Sequence, residues 1–323
     1  MSFSSEVKAE LAKNISSARH CRIAELSGMM SMVADVWYRN GSLFKLCITT
    51  ERSIIAKTMA ALIKVLFDIR MECSVKRTGS NSRIYRMVLD QQQEIERMMQ
   101  TLKLSPDFGI SQKGVAKVSC QDMTVNRMVV QQQCCKRAFI KGVFMTSGSV
   151  SDPKKGYHLE IVCNNEDRAG MIGKIMAELD IESRVIARKK YSVCYIKDGT
   201  MIVDMLNIMG AHISLMNMEN VRILKDISNN VNRRVNCEAA NLNKTVSAAV
   251  RQIQDINYVI ETRGITYLPD NLRSLAELRL EEPDASLKEL GEMMNPPIGK
   301  SGVNHRLRKI SEIAEDLRQK SYV

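Results

Sequence analysis

Cys21-Arg22-Ile23-Ala24-Glu25-Leu26-Ser27-Gly28 and Cys135-Lys136-Arg137-Ala138-Phe139-Ile140-Lys141-Gly142 place Ala and Gly at matching positions, 114 residues apart. The residues after each stretch also correspond. Gly41-Ser42 precedes an apolar, strand-like run at Leu43–Thr49, and Gly148-Ser149 precedes another at His158–Cys163. Glu51 opens a helix-like stretch to Phe67, followed by Asp68-Ile69, and Glu166 opens one to Leu179, followed by Asp180-Ile181. Each half continues into two β-rich segments, Met71–Arg77 with Ile84–Leu89, and Ser183–Arg188 with Tyr191–Lys197. Each then ends in a helical run, Gln91–Leu104 or Gly199–Met209. The order α-β-α-β-β-α, met twice at a fixed spacing, predicts a duplicated α+β unit. Gly28 and Gly142 fall inside helices, where Gly costs about 1 kcal/mol relative to Ala. Close approach of the two helices, one from each half, is the physical reason, and Ala24 and Ala138 lie one turn earlier on the same face.

The chain outside these stretches sets limits on function. Its 323 residues suit two or three domains. With 45% hydrophobic and 26% charged residues it has the composition of a folded globular protein. No run approaches the roughly 18 apolar residues of a membrane span, and Met1-Ser2-Phe3-Ser4-Ser5-Glu6 lacks the plan of a signal peptide. A cytoplasmic location follows as an expectation. The net charge of +11 favours a polyanionic partner, nucleic acid first.

The nine cysteines, Cys120 among them, include no Cys-x-x-Cys and read as reduced thiols, several of them among apolar residues. His20, His158, His212 and His305 are scattered along the sequence. Structural zinc uses clustered Cys/His pairs, so neither a metal nor any other cofactor is expected.

The last third carries the second signal. Residues 217–265 read as a polar, Asn- and Arg-rich helical linker. Pro269-Asp270 starts a helix running to about Glu281, with Asp270 as cap, and Pro283 halts it. Ser286-Leu287-Lys288-Glu289 matches a capping box opening a short helix to Met294. Asn295-Pro296-Pro297-Ile298-Gly299-Lys300 is a turn, and Ser301 is placed to cap a last helix at about Gly302–Arg318. Three helices so joined spell a helix-turn-helix, about Ser286–Leu317. On the last helix Val303, Leu307, Ile310, Ile313, Ala314 and Leu317 form the buried stripe. Asn304, His305 and Arg308 face outward near its N-terminal end, where a recognition helix reads bases. Lys300, Ser301, Arg306 and Lys309 are the phosphate-positioning candidates. Beyond Lys309 the exposed face turns acidic at Glu312, Glu315 and Asp316, which confines DNA contact to the first turns.

Leu26–Ala34 and Ile140–Gly148 resemble degenerate LAGLIDADG helices, the paired central helices of two-fold symmetric homing endonucleases. In that family the eighth motif residue is a metal-binding acid. Here Val33 and Ser147 stand at the matching positions, with Asp35 and Asp152 nearby but off register. Hard cations want carboxylate oxygens, so the resemblance implies the scaffold without catalytic residues. The opening Met1–Lys8, Ser286–Gly291 and Lys300–Ile310 resemble the signature of the WhiA family, bacterial regulators with a degenerate LAGLIDADG-like domain tethered to a C-terminal helix-turn-helix. That resemblance covers essentially the whole chain. It implies a role in transcription, cell division, chromosome segregation and, in spore formers, sporulation.

The expected organisation is an N-terminal helix at 1–20, a LAGLIDADG-like domain at 21–216 with halves 21–127 and 134–216, a helical linker at 217–265 and a helix-turn-helix domain at 266–323. The expected protein is a non-enzymatic, sequence-specific binder of double-stranded DNA at the nucleoid, with no membrane or small-molecule partner. Two other readings are a metal-dependent endonuclease on the same scaffold and a platform for protein partners of the transcription, division or segregation machinery. Arg184, Arg188, Lys189 and Lys190, at a hairpin turn of the second half, are candidate phosphate contacts if the nuclease saddle persists.

Overall fold

The computed structural model describes residues 2–77, 83–106, 114–119 and 122–320. Cys120 lies outside them. The chain forms two compact units, 1–224 and 225–323.

In the first unit, α1 (Phe3–Lys13) is capped by Ser2, whose hydroxyl accepts from the Ser5 N–H. The two halves come next. The first runs α2 (Arg19–Val33), β1 (Ala34–Arg39), β2 (Ser42–Thr50), α3 (Ser53–Phe67), β3 (Glu72–Arg77), β4 (Arg83–Leu89) and α4 (Gln92–Leu102). Short strands β5 (Leu104–Pro106), β6 (Val115–Ser119) and β7 (Met123–Val125) connect it to the second. The second runs α5 (Gln133–Ser147), β8 (Gly148–Val150), β9 (Leu159–Cys163), α6 (Glu166–Ala177), β10 (Arg184–Arg188), β11 (Tyr191–Ile196) and α7 (Gly199–Met209).

Strand orders confirm the duplication. The first sheet is β3-β4-β2-β1, extended by β6, and the second is β10-β11-β9-β8, all antiparallel. Even the helix ends repeat. Asp68 after α3 and Asp180 after α6 both adopt left-handed conformations, with φ of 59° and 62°. Ile69 and Ile181 beside them are both buried.

Each half has one strand more than the expected α-β-α-β-β-α order. β1 and β8 begin at the residue after α2 and α5, with no turn residue between. No turn residue marks the Val33-Ala34 junction, so that apolar run reads as more helix, while β8 opens on Gly148 itself and, at 3 residues, is too short to leave a strand pattern.

α2 and α5 pack as the central pair. A Cβ on Gly28 would run into the Phe139 carbonyl, and one on Gly142 into the Glu25 carbonyl. Each glycine thus allows backbone-to-backbone approach, and Ala24 and Ala138 are buried in the same seam. The core of this unit surrounds the pair, with Met29, Met30, Phe139, Phe144 and Leu206 fully enclosed.

Helix α8 runs unbroken from His212 to Arg263. Its first turn is capped by α1: Glu10 accepts from the Ile213 and Ser214 N–H groups at 2.7 and 2.9 Å. In the second unit α9 (Asp270–Glu281), α10 (Leu287–Met293) and α11 (Lys300–Lys320) close on the end of α8. Ile256, Val259, Leu272, Leu275, Leu290, Val303, Leu307, Ile310, Ala314 and Leu317 form that core, with Ile313 packed against its edge.

Two capping expectations are corrected. Asp270 is the first residue of α9, not its cap: Pro269 holds that place, and its carbonyl accepts from the Leu272 and Arg273 N–H groups. Ser301 lies inside α11, because the Gly299 carbonyl already accepts from Val303 and the helix starts at Lys300. The capping box at Ser286 and Glu289 forms in both directions.

Candidate nucleic-acid interface

The C-terminal helices are held in a fixed arrangement by polar ties that the apolar pattern does not show. Arg279, 2% exposed, donates to the carbonyls of Ala285 at 2.7 Å and Pro283 at 3.3 Å, locking the turn between α9 and α10. Burial holds its guanidinium below the usual arginine range. The turn between α10 and α11 folds onto Gly291, whose carbonyl accepts from the Ile298 N–H. A Cβ at Gly291 would strike the Ile298 carbonyl, so only glycine lets the turn lie this close. Arg318 at the far end of α11 pairs with Asp255 of α8 at 2.8 Å and covers the Tyr258 ring.

With the buried stripe of α11 fixed inward, Lys300, Ser301, Asn304, His305, Arg308 and Lys309 are all exposed. They occupy the first two to three turns of the helix. Arg308 is drawn along the helix toward Glu312, 3.5 Å away. That pair is open to solvent and holds the side chain only loosely. Arg306 behaves differently: it is half-buried and donates to the Asn271 carbonyl of α9 at 3.2 Å. That contact braces α11 against α9. A groove of about 570 Å³ opens beside the start of α11, with Lys244, Lys288, Lys300 and Asn304 on its walls. Sequence reasoning assigned no DNA contact to Lys244 or Lys288, because only the fold brings α8 and the start of α10 to the start of α11.

In the first unit, Arg184, Arg188, Lys189 and Lys190 are exposed at the β10–β11 hairpin, with Lys189 at φ 56°. Arg188 lies 3.5 Å from Glu160, which also faces His158 at 3.1 Å, so one acid partly offsets the cluster. The sheet of the first half carries a basic face the sequence did not reveal. Trp37 lies between Lys45 and Lys117, whose ammonium groups are 5.5 and 5.4 Å from its ring centroid. Strand pairing sets Lys45 and Lys117 on either side of Trp37, a register no linear pattern states.

Val33 and Ser147 are the last residues of α2 and α5, the helix ends where the nuclease acids would stand. Asp35 lies on β1 and is paired with Lys117 at 2.9 Å, and Asp152 accepts from the Lys154 N–H in a turn.

The scatter of Cys and His expected from the sequence does not hold in three dimensions. His20 and Cys21, near the start of α2, meet Cys134 and Cys135, near the start of α5, and their ligating atoms all lie within 4.8 Å of one another. Burial, followed by the neighbouring Cys134 and Cys135 thiols, pushes the Cys21 thiol up to about 12.

Fold and site together define a class: a two-fold repeated, LAGLIDADG-like α+β scaffold with a helix-turn-helix at its C-terminal end. Family descriptions match in the same order, the WhiA N-terminal LAGLIDADG-like domain at 19–105, the WhiA LAGLIDADG-like domain at 136–228 and the WhiA C-terminal HTH domain at 231–314. The chain belongs to the WhiA family. A relative from Lachnoclostridium phytofermentans is 45% identical over 99% of this chain and 100% of its own, and one from Lachnospira eligens is 44% identical over 99% and 98%. Both bear the name "Probable cell division protein WhiA". The crystal structure of full-length WhiA from Thermatoga maritima is similar in fold, with a TM-score of 0.60 and 24% identity, over 98% of this chain and 99% of that one.

Proposed function

We propose that the chain is a non-enzymatic, sequence-specific DNA-binding protein that reads double-stranded DNA through α11 and acts in bacterial cell division, as the relatives' names suggest. The observation that carries this reading is the exposed, basic and amide-bearing start of α11, held outward by its buried stripe and by the Arg279 and Gly291 contacts. Asn304, His305 and Arg308 read base edges, and Lys300, Ser301 and Lys309 bind phosphates, joined by Lys244 and Lys288 from the adjoining groove. The family resemblance extends this proposal to regulation of transcription, a part in chromosome segregation or sporulation, and residence at the nucleoid in the cytoplasm.

Val33 and Ser147 support the absence of nuclease chemistry, since neither side chain is a useful magnesium ligand. Domain roles follow the same division: 21–216 as scaffold, 217–265 as connecting helix and 266–323 as reader. Footprinting and salt titration of single variants test the assignment. Arg308→Ala should weaken the specific site by about 1–3 kcal/mol and spare random DNA, if the guanidinium reads a guanine bidentately. Lys309→Ala should weaken every sequence alike and lower the salt slope by about one ion. Equal losses on specific and random DNA for both variants would remove the base-reading role from Arg308.

A further inference from the structure

The start of α2 and the start of α5 are equivalent positions in the two halves. His20 and Cys21 are the second and third residues of α2, and Cys134 and Cys135 are the second and third of α5. The pseudo-two-fold that pairs the helices therefore brings all four side chains into one cluster at the head of the pair. His20 Nδ1 lies 3.2 Å from Cys135 Sγ, 3.4 Å from Cys21 Sγ and 4.0 Å from Cys134 Sγ.

We infer that these four side chains form a tetrahedral Cys3His site for a thiophilic d10 cation, Zn2+, which ties the two halves together at the head of their central helix pair. Zinc with ligands at about 2.3 Å for sulfur and about 2.0–2.1 Å for nitrogen needs donor atoms about 3.5–3.8 Å apart. The donors already lie within 4.8 Å of one another, so small side-chain movements complete the set. The soft thiolates select zinc over magnesium or calcium.

Other features fit the charge of such a site. Neither helix start has a side-chain cap, Ala18 and Gln132 making no capping hydrogen bond, so the positive ends of two helices face the sulfurs. Three thiolates, one neutral imidazole and Zn2+ leave one net negative charge, which those helix ends stabilise. Three thiol protons pass to water as the metal binds. Cys21 and Cys135 are buried while His20 and Cys134 are exposed, so two ligands are fixed in the seam and two close over the metal from solvent. A cleft lined by Cys21, Cys134, Arg137 and His212 gives access from outside. The position is remote in sequence and chemistry from the α11 reader, and the inference does not depend on DNA binding.

Elemental analysis of the full-length chain, purified in reductant and free of any polyhistidine tag, tests the site. The wild type should carry one zinc per chain, and cobalt substituted for it should give the strong visible bands of tetrahedral thiolate coordination. His20→Ala and Cys134→Ser change exposed side chains and should lose the zinc and the cobalt bands while keeping the wild-type circular dichroism. Cys73→Ser and Cys237→Ser, at exposed thiols elsewhere, should keep both. Chelator should lower the melting temperature of the wild type and leave that of the two ligand variants unchanged. Folded wild type that neither holds zinc nor gives cobalt bands overturns the inference, as does zinc retained in both ligand variants. Loss of two hydrogens in the mass of metal-free protein would instead assign the cluster to a Cys21–Cys135 disulfide, and equally overturn it.

Discussion

Glu25 of α2 and Lys141 of α5 meet at 2.9 Å inside the central seam, with 0% and 5% of their side chains exposed. Lys141 also donates to the Asn14 carbonyl in the connection between α1 and α2. The two residues are not equivalent in the repeat, so this pair breaks the symmetry of an otherwise matched interface. Burial pushes the Glu25 carboxyl up, and the Lys141 ammonium opposes it. Removing one partner leaves the other charge buried and unpaired. Lys141→Met should cost about 3–5 kcal/mol, and adding Glu25→Gln should recover much of it. Urea midpoints of both variants check this. In Lys141→Met the folded carboxyl binds its proton more tightly than the unfolded one. Stability of that variant should therefore fall as pH rises above the ordinary carboxylate range.

The glycines of the same seam make a sharper steric prediction. Gly28→Ala and Gly142→Ala each drive a methyl into a carbonyl of the opposite helix, and each should destabilise by about 1–3 kcal/mol or more. A Cβ on Gly170 in α6 would meet nothing within 4 Å, so Gly170→Ala should stabilise by up to about 1 kcal/mol. Thermal unfolding of the three variants compares the two effects at like chemistry. Equal outcomes at all three would mean that α2 and α5 can separate at little cost.

Lys8 on α1 gives the chain a pH response. It is 3% exposed, its ammonium lies 5.6 Å from the centre of the Phe144 ring, and burial, then the charge of Arg52, brings its pKa down to about 7. The unfolded lysine keeps its proton until about 10.4. Between those values the unfolded chain binds more protons, so stability rises with pH. Above about 9 the buried thiols act in the opposite sense, since Cys163 is pushed up to about 12 by burial first and stays protonated when folded. From pH 7 to about 8.5, Lys8 should therefore add about 1–2 kcal/mol. Lys8→Met should flatten that rise and be the more stable chain at pH 7. Denaturant midpoints across this range measure both.

Legibility in the sequence depends on the kind of signal each feature leaves. The paired helices were legible, because Gly28 and Gly142 are costly inside helices unless two backbones touch. The buried face of α11 was, because Val303, Leu307, Ile310, Ala314 and Leu317 repeat at helical spacing. β1 was not, since no turn residue separates it from α2, and β8 was not, since 3 residues are too few to show a strand period. Asp270 and Ser301 are good capping residue types, yet the carbonyls of Pro269 and Gly299 open those helices, and that choice is made by backbone geometry. Lys45 and Lys117 beside Trp37 depend on strand register, and Lys244 beside Lys300 on how α8 meets α11. His20, Cys21, Cys134 and Cys135 look scattered until the two-fold is applied to them.

The hairpin of the second half separates a working saddle from an inherited shape. Arg184, Arg188, Lys189 and Lys190 are exposed, and Glu160 lies beside Arg188. If DNA lies along this sheet while α11 reads sequence, these groups hold phosphates without choosing a site. Changing all four to Glu in the full-length chain should then weaken specific and random DNA in parallel and make the salt dependence shallower, by up to about 0.9 for each phosphate no longer neutralised. The footprint of α11 should keep its position, because phosphate contacts carry no sequence information. Titration at several salt concentrations, against a labelled specific site and a random duplex, reads both quantities. An unchanged salt slope would place the hairpin outside the DNA interface and leave its charge for an acidic protein partner.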